Sequence, residues 1–120
     1  MKVKVIYVAN DGKEFENEDD CRKYESRDVF AFDDYGKQID VLDDQALMEE
    51  SIYLIFKSKE ALDYYNKLSD ESGCCRIDEK TFNKFPLYVY YDCNGEWKYI
   101  KDRAEELKNE ISKLEKYMNM

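Results

Sequence analysis

The dipeptide Asn94-Gly95 stands between two aromatic runs, and this arrangement constrains the fold more than any other feature of the chain. Both residue types tolerate the positive φ angles of a type I′ turn, whose twist suits two flanking antiparallel strands. The sequence therefore predicts a hairpin over 85–99, with Trp97 and Tyr99 on the returning strand. Alternation along the first strand directs two sets of side chains to opposite sides, namely Phe85, Leu87, Val89 and Tyr91 against Tyr88 and Tyr90.

Strand and helix signals alternate through the preceding residues, with turn residues between them. Asn17 and Ser58 are placed to cap two helices, because their side chains can accept from free N–H groups of a first turn. The segment 74–84 has no clear period and is expected to be a loop. The other expected elements are a strand over 2–8 returning at 13–15, a helix from Asn17 to about Arg27, a hairpin from 29–32 to 39–42, a short helix over 43–48, a buried strand over 51–56 and a helix over 58–72.

The last segment carries a heptad pattern. Asp102 followed by Glu105 resembles a capping box at the start of a helix. Beyond it, apolar residues recur at the a and d positions that form the seam of a coiled coil. Such a helix can pack on its own sheet, but the narrow stripe favours homo-oligomer formation with a second copy of the chain. The stripe consists of Ala104, Leu107, Ile111, Leu114 and Met118.

These elements define the expected fold class. The chain has 120 residues, which is the length of one domain. We expect a single α+β domain over 1–120, with a small, mainly antiparallel sheet and packed helices over 1–99 and a long amphipathic C-terminal helix over 100–120. No segment approaches the roughly 20 apolar residues of a membrane span, and the opening is too short and too charged for a signal peptide. The expected location is the cytoplasm, without membrane association.

Charge is distributed unevenly. The net charge is -9, and residues 1–50 hold 15 of the 28 acidic residues but only 7 of the 19 basic ones. A surface of this kind repels nucleic acid and attracts basic protein surfaces. It either keeps a small protein soluble or imitates nucleic-acid phosphates, and we expect no direct nucleic-acid binding. The acids concentrate at Asp28, Asp33, Asp34, Asp40, Asp43, Asp44, Glu49 and Glu50, with Lys37 opposing them.

The residue types present argue against catalysis and metal binding. Histidine is absent, which removes the Ser/His and Cys/His nucleophile arrangements. The four cysteines lack the paired spacing of a zinc site, and the acidic stretch around Gly36 fails the EF-hand pattern. No catalytic residue, metal ligand or cofactor is therefore nominated, although an Asp/Glu acid-base pair or a lone cysteine nucleophile stays open. The cysteines are Cys21, Cys74, Cys75 and Cys93, expected as reduced thiols.

Aromatic and basic residues crowd around the predicted hairpin. Aromatic faces stack on bases and cations hold phosphates, so this cluster can hold a nucleotide-sized ligand without catalysis. The alternative is that the rings form core and cross-strand pairs. The cluster contains Phe82, Tyr88, Tyr90, Trp97 and Tyr99 with Lys84, Lys98, Lys101 and Arg103.

The opening pattern ANDGKEF…C..YE, formed by Ala9 to Phe15, Cys21 and Tyr24-Glu25, resembles the start of small proteins from phages and prophages of Gram-positive bacteria. A compact sheet followed by a long C-terminal helix is similar to the phage anti-Thoeris sponge proteins. That second resemblance implies an oligomer that sequesters a cyclic ADP-ribose signal. For such a ligand we nominate, from chemistry and position, Phe56, Phe82, Asn94, Trp97 and Arg103.

The leading hypothesis is thus a phage counter-defence protein that binds a nucleotide-derived immune signal without changing it, in the cytoplasm of the bacterial host. Its partners are a cyclic nucleotide-type ligand and a second copy of the chain. The alternative hypothesis is an acidic inhibitor that docks on a nucleic-acid-binding defence enzyme, such as a CRISPR nuclease, through the acidic face.

Overall fold

An antiparallel five-stranded sheet forms the centre of the computed structural model, which describes residues 3–120. The strands and helices follow the expected α+β order, so the predicted fold class is confirmed. The order along the sheet is β4-β3-β5-β6-β7, and β1 pairs with β2 in a separate two-stranded sheet. The elements are β1 (Tyr7–Val8), β2 (Glu14–Phe15), α1 (Glu18–Glu25), β3 (Val29–Phe32), β4 (Gln38–Ile39), α2 (Asp44–Glu49), β5 (Tyr53–Phe56), α3 (Lys59–Ser72), β6 (Leu87–Tyr91), β7 (Trp97–Tyr99) and α4 (Ile100–Met118).

Side-chain caps begin three of the helices, as the sequence predicted for α1 and α3. Asn17 Oδ1 accepts from the backbone N–H of Asp19 at 2.8 Å, and Ser58 Oγ accepts from Ala61 N–H at 3.3 Å. Asp43 does the same for α2 through Ala46 N–H at 3.2 Å. Each cap satisfies a donor that has no partner inside its helix, which fixes where the helix begins.

The pairing register gives the main sheet two unlike faces. Leu54 of β5 lies between Ala31 and Val89, while its neighbour Tyr53 lies between Phe32 and Tyr90. The first set is fully buried, so it forms the inner face. The second set forms the outer face. The outer-face residues of the central strands are Phe30, Phe32, Tyr53, Ile55, Tyr88 and Tyr90.

The core lies between the inner sheet face and the helices α2 and α3. Its largest fully buried side chains include Phe56, Leu47 and Leu62. The loop 74–84 also contributes, because Ile77 is fully buried. Asn66 of α3 holds this loop by donating from Nδ2 to Ile77 O at 3.0 Å and accepting from Ile77 N–H at 2.9 Å.

Three local expectations differ from the structure. The first strand is only Tyr7–Val8, and Lys2, the first residue of the strand predicted over 2–8, lies outside the described residues. The turn at Asn94-Gly95 is not type I′, since Gly95 (φ 80°) alone has the positive φ and no non-glycine residue among those described does. Helix α4 begins at Ile100 without a side-chain cap, not at Asp102, because it continues directly from the end of β7.

Helix α4 extends away from the sheet. The structure measures 83 × 25 × 22 Å along its principal axes, and every residue of α4 after Arg103 is exposed. The predicted apolar stripe does not pack on the protein's own sheet: Leu107, Ile111, Leu114 and Met118 are 42%, 53%, 52% and 78% exposed. No helix among residues 3–120 is long and apolar enough to cross a membrane.

The two faces of the sheet predict unequal costs of truncation. Leu54→Ala leaves a cavity in the core and is expected to lower the free energy of unfolding by about 2–5 kcal/mol. Ile55→Ala, on the neighbouring outer-face position, removes a side chain that is already partly exposed and should cost clearly less. Chemical denaturation of both variants and the parent measures the difference. Equal losses would contradict the assignment of the faces.

Candidate functional site

The loop between β6 and β7 is organised by one carboxylate. Asp92 Oδ1 accepts from the backbone N–H groups of Asn94 and Glu96, each at 2.9 Å, and Oδ2 lies 3.1 Å from Lys98 Nζ. The loop closes with Gly95 N–H donating to Asp92 O at 3.2 Å and Asp92 N–H donating to Glu96 O at 2.9 Å. This is the pattern of a type I turn followed by a glycine bulge, a common alternative to a two-residue hairpin turn.

The electrostatics of this loop follow from the same contacts. The hydrogen bond from Glu96 N–H, together with Lys98, lowers the pKa of Asp92 below its ordinary value. Reciprocally, the hydrogen bond to Asp92 raises the pKa of Lys98. Both groups are therefore charged at neutral pH, and the ion pair holds Lys98 against the loop.

A groove of about 460 Å³ opens between this loop, the outer sheet face and the first turns of α4. Its floor includes Tyr53 and Tyr90, whose ring centroids are 6.0 Å apart at 30°. Tyr90 is only 5% exposed, so the partly exposed Tyr53 is the ring that a ligand can reach. The charged and amide side chains that line the groove are Asp34, Asp92, Asn94, Lys98, Arg103 and Glu106.

The two cations of the groove are held unequally. Lys98 is bound to Asp92, whereas Arg103 Nη1 lies 3.9 Å from Glu106 Oε2, beyond ordinary hydrogen-bond distance. The guanidinium of Arg103 is therefore the cation most available to an anion. Burial, followed by the charge of Glu106, raises the pKa of Tyr90, so this hydroxyl stays neutral.

Two of the five nominated ligand residues meet in the groove. Asn94 lies on its rim and Arg103 on the α4 side. Trp97 lies on the other face of the hairpin, with its ring 4.9 Å from Tyr91 and 5.9 Å from Tyr65. The chain therefore brings Asn94 and Arg103 together and separates them from Trp97.

The remaining two nominated residues belong to the core. Phe56 is 0% exposed, and its ring lies 5.6 Å from that of Tyr65. Phe82 is 7% exposed and packs against Tyr99 at 5.0 Å. Neither ring can stack on a ligand without a rearrangement of the core, because no free aromatic face is presented to solvent.

Sequence reasoning missed Tyr53 and did not single out Tyr90 and Lys98 as ligand residues. Tyr90 and Lys98 are cross-strand partners, and strand alternation had already placed Tyr90 on the side opposite Val89. That local signal was sufficient to find these two. Tyr53 and Asp34 come from distant segments, and no local pattern places them beside the hairpin.

Trp97 lines a second, smaller pocket of about 200 Å³ with Cys74 and Cys75. The hydroxyl of Tyr91 donates to Cys75 Sγ at 3.0 Å, and the buried Nε1–H of Trp97 has no hydrogen-bond partner within residues 3–120. All four cysteines are free. Among residues 3–120 no group of three or more His, Cys, Asp or Glu side chains is arranged to hold a metal ion.

One carboxyl pair lies outside both pockets. Burial and a hydrogen bond with Glu79 raise the pKa of Asp63. Glu79 also accepts from Asn66 Nδ2 at 3.4 Å and lies 3.7 Å from Arg76. These contacts connect the pair to Asn66, the residue that holds the loop 74–84.

The acidic face is mostly uncompensated, and six of its eight carboxylates are exposed, while Asp28 and Asp33 are half-buried. Of its eight carboxylates, Asp44 alone has a salt-bridge partner among the described residues, Arg22 at 2.6 Å. Others serve the backbone: Asp33 Oδ1 accepts from Lys37 N–H at 2.8 Å, and Asp40 Oδ1 accepts from Leu42 N–H at 3.0 Å. These acids therefore shape turns while keeping their negative charge at the surface.

The fold and the groove together define a small α+β protein with a small-molecule-sized groove on the outer face of its sheet. Comparison with protein-family models, with curated proteins and with solved structures gave no match.

The Asp92 loop predicts a specific pH dependence. Because the folded-state pKa of Asp92 is lowered, its carboxylate stabilises the fold above its ordinary pKa of about 3.9. That contribution is lost as the pH falls through the folded-state value. Asp92→Asn keeps an acceptor oxygen but has no charge, so the parent should have the higher Tm at pH 7.

Thermal unfolding of both proteins between pH 7 and about pH 2 measures this effect. The difference in Tm between parent and Asp92→Asn should shrink toward zero at the acidic end, while titration of the other acids affects both proteins alike. A difference that does not change with pH would contradict the role of the charge.

Proposed function

We propose that the protein is a non-catalytic binding protein that sequesters a nucleotide-derived immune signal, of the cyclic ADP-ribose type, in the groove between Tyr53 and α4. In this proposal it acts as a phage counter-defence protein in the cytoplasm of the bacterial host. The observation that carries the proposal is the convergence of an accessible ring, an amide and a guanidinium in one groove of about 460 Å³. Small-molecule sites have volumes of about 300–1,000 Å³.

Each part of such a ligand has a candidate partner in the groove. The partly exposed ring of Tyr53 offers a face on which a purine can stack. Asn94 carries both a donor and an acceptor for the edge of a base. Arg103 offers a planar set of donors that suits a pyrophosphate.

The negative charges around Arg103 oppose this binding. Asp34, Asp92 and Glu106 all line the groove, and the chain as a whole carries a net charge of -9. Screening at physiological salt limits the remote charges to about 8 Å, so the local carboxylates dominate. Under this proposal Glu106 competes with the phosphate for Arg103, and its removal should strengthen binding.

Calorimetry with cyclic ADP-ribose isomers and cyclic oligonucleotides tests the proposal. Tyr53→Ala should weaken binding by about 1–3 kcal/mol if the ring stacks on a base. Arg103→Ala should weaken it more than Arg103→Lys, because Lys keeps the charge but not the bidentate geometry. Glu106→Gln should bind more tightly than the parent.

Tyr88→Ala is the matched control, since Tyr88 is an exposed outer-face tyrosine of the same sheet that does not line the groove. Heating the complex and recovering the ligand by chromatography separates binding from conversion. Recovery of altered ligand would make the protein an enzyme. The absence of binding across the panel would refute the proposal.

A second candidate function is the acidic inhibitor of a nucleic-acid-binding defence enzyme. What favours it is the exposed face on which Asp44 alone of eight carboxylates has a salt-bridge partner in the described chain. An uncompensated negative surface of this kind complements the basic groove of such an enzyme. The candidate needs no small-molecule ligand.

Replacing Asp33, Asp43 and Asp44 together by Asn, with the groove residue Asp34 unchanged, tests this candidate. Asn keeps an acceptor oxygen for the turn at Asp33 and the cap at Asp43, so the fold should be preserved. If the acidic face is the surface that binds the defence enzyme, the variant should no longer inhibit host defence. Plaque formation on a defence-positive host measures this loss. Under the signal-binding proposal the same variant should keep its activity, while Arg103→Ala should lose it.

A further inference from the structure

Charged residues on both sides of the exposed apolar stripe of α4 specify how two such helices would pair. Leu107 and Leu114 occupy d positions, and Ile111 and Met118 occupy a positions of one heptad frame. Charged residues at the flanking e and g positions set the orientation of paired helices. In this frame the e positions are Lys101, Lys108 and Glu115, and the g positions are Arg103, Glu110 and Tyr117.

A parallel pair of α4 helices is opposed by these charges. Parallel packing brings a g residue of one helix against the next e residue of the other. Arg103 would then face the partner's Lys108, and Glu110 would face the partner's Glu115. Each of these like-charge contacts would occur twice in a two-fold dimer, so repulsion acts along the whole seam.

An antiparallel pair is favoured by the same charges. Antiparallel packing places e against e and g against g. With Ile111 packed against the partner's Leu114 and Leu107 against the partner's Met118, Lys108 faces the partner's Glu115. This attractive contact occurs twice, and no like charges face each other.

The charges also select the register. Sliding the antiparallel pair by one heptad packs Leu107 against the partner's Ile111. Lys108 then meets the partner's Lys108, and Glu110 meets the partner's Glu110. Lys101 also meets the partner's Glu115, and this attractive contact occurs twice. The two attractive and two like-charge contacts of this alternative therefore cancel, whereas the first register has two attractive contacts and no like-charge contact.

We propose that two copies of the chain associate through an antiparallel pair of α4 helices, with Ile111 packed against the partner's Leu114. Two further observations support a second copy as the occupant. The four large apolar residues of the stripe are 42–78% exposed. Lys108 and Glu115 form no salt bridge within the part of the chain that the structure describes, so both remain available to a partner.

Charge-reversal variants test the orientation. Lys108→Glu places Glu opposite Glu115 in the antiparallel dimer and should weaken it about tenfold or more in Kd, since like charges replace two attractive contacts. In a parallel dimer the same change would place Glu opposite Arg103 and strengthen association. Glu115→Lys separates the two arrangements in the same way, because it weakens only the antiparallel form.

The double variant Lys108→Glu with Glu115→Lys restores the antiparallel contacts and should recover the Kd of the parent. Sedimentation equilibrium of the full chain measures all four proteins, with Leu114→Glu as the seam-breaking variant and circular dichroism as the check on folding. Weakening by each single reversal and recovery by the double supports the proposal.

Three outcomes would overturn it. These are a monomeric parent at about 100 μM, strengthening by either single reversal, and a dimer that Leu114→Glu leaves intact. If the parent is monomeric, the stripe would instead bind a different protein. None of these outcomes depends on the ligand proposed for the groove.

Discussion

The packing of β5 on α3 is the constraint on which the rest of the structure depends. Leu54 and Phe56 point to the same side of the central strand and are fully buried with Leu62. One layer of helices, which includes α2 and α3, covers this face. The outer face is therefore left to its aromatic residues, and the groove lies where this open face meets the β6–β7 loop and α4.

Local chemistry accounts for what the sequence could predict. Asn17 and Ser58 cap helices because their side-chain oxygens accept from free backbone N–H groups of the first turn. Alternation along 85–91 separates the buried Val89 from the exposed Tyr88. Alternation along β5 likewise argues against Phe56 as a ligand residue, because Phe56 lies on the same sheet face as the buried Leu54. The groove itself could not be predicted, since it needs Tyr53 to approach the hairpin through long-range strand pairing that no local signal encodes.

The position of helix α4 shows a different limit of prediction from sequence. The sequence shows the apolar stripe of α4. Whether the helix packs on the sheet or extends away from it depends on the direction in which the chain leaves β7. Helix α4 starts at Ile100 with no intervening loop, so the end of the strand fixes the helix axis. A connecting loop would have allowed the stripe to fold back onto the outer face, where it would have covered Tyr53 and Tyr90.

The groove and the stripe share the first turns of α4, and this gives the two proposals a physical connection. Arg103 and Glu106 line the groove, while Leu107 belongs to the stripe. In the proposed antiparallel pair the partner's Met118 would pack against Leu107 and restrain the turn that carries Arg103. Restraint of a side chain before binding lowers the entropy lost when a ligand binds. Because coupling between binding equilibria is reciprocal, a ligand held by Arg103 would favour the dimer to the same degree as the dimer favours the ligand.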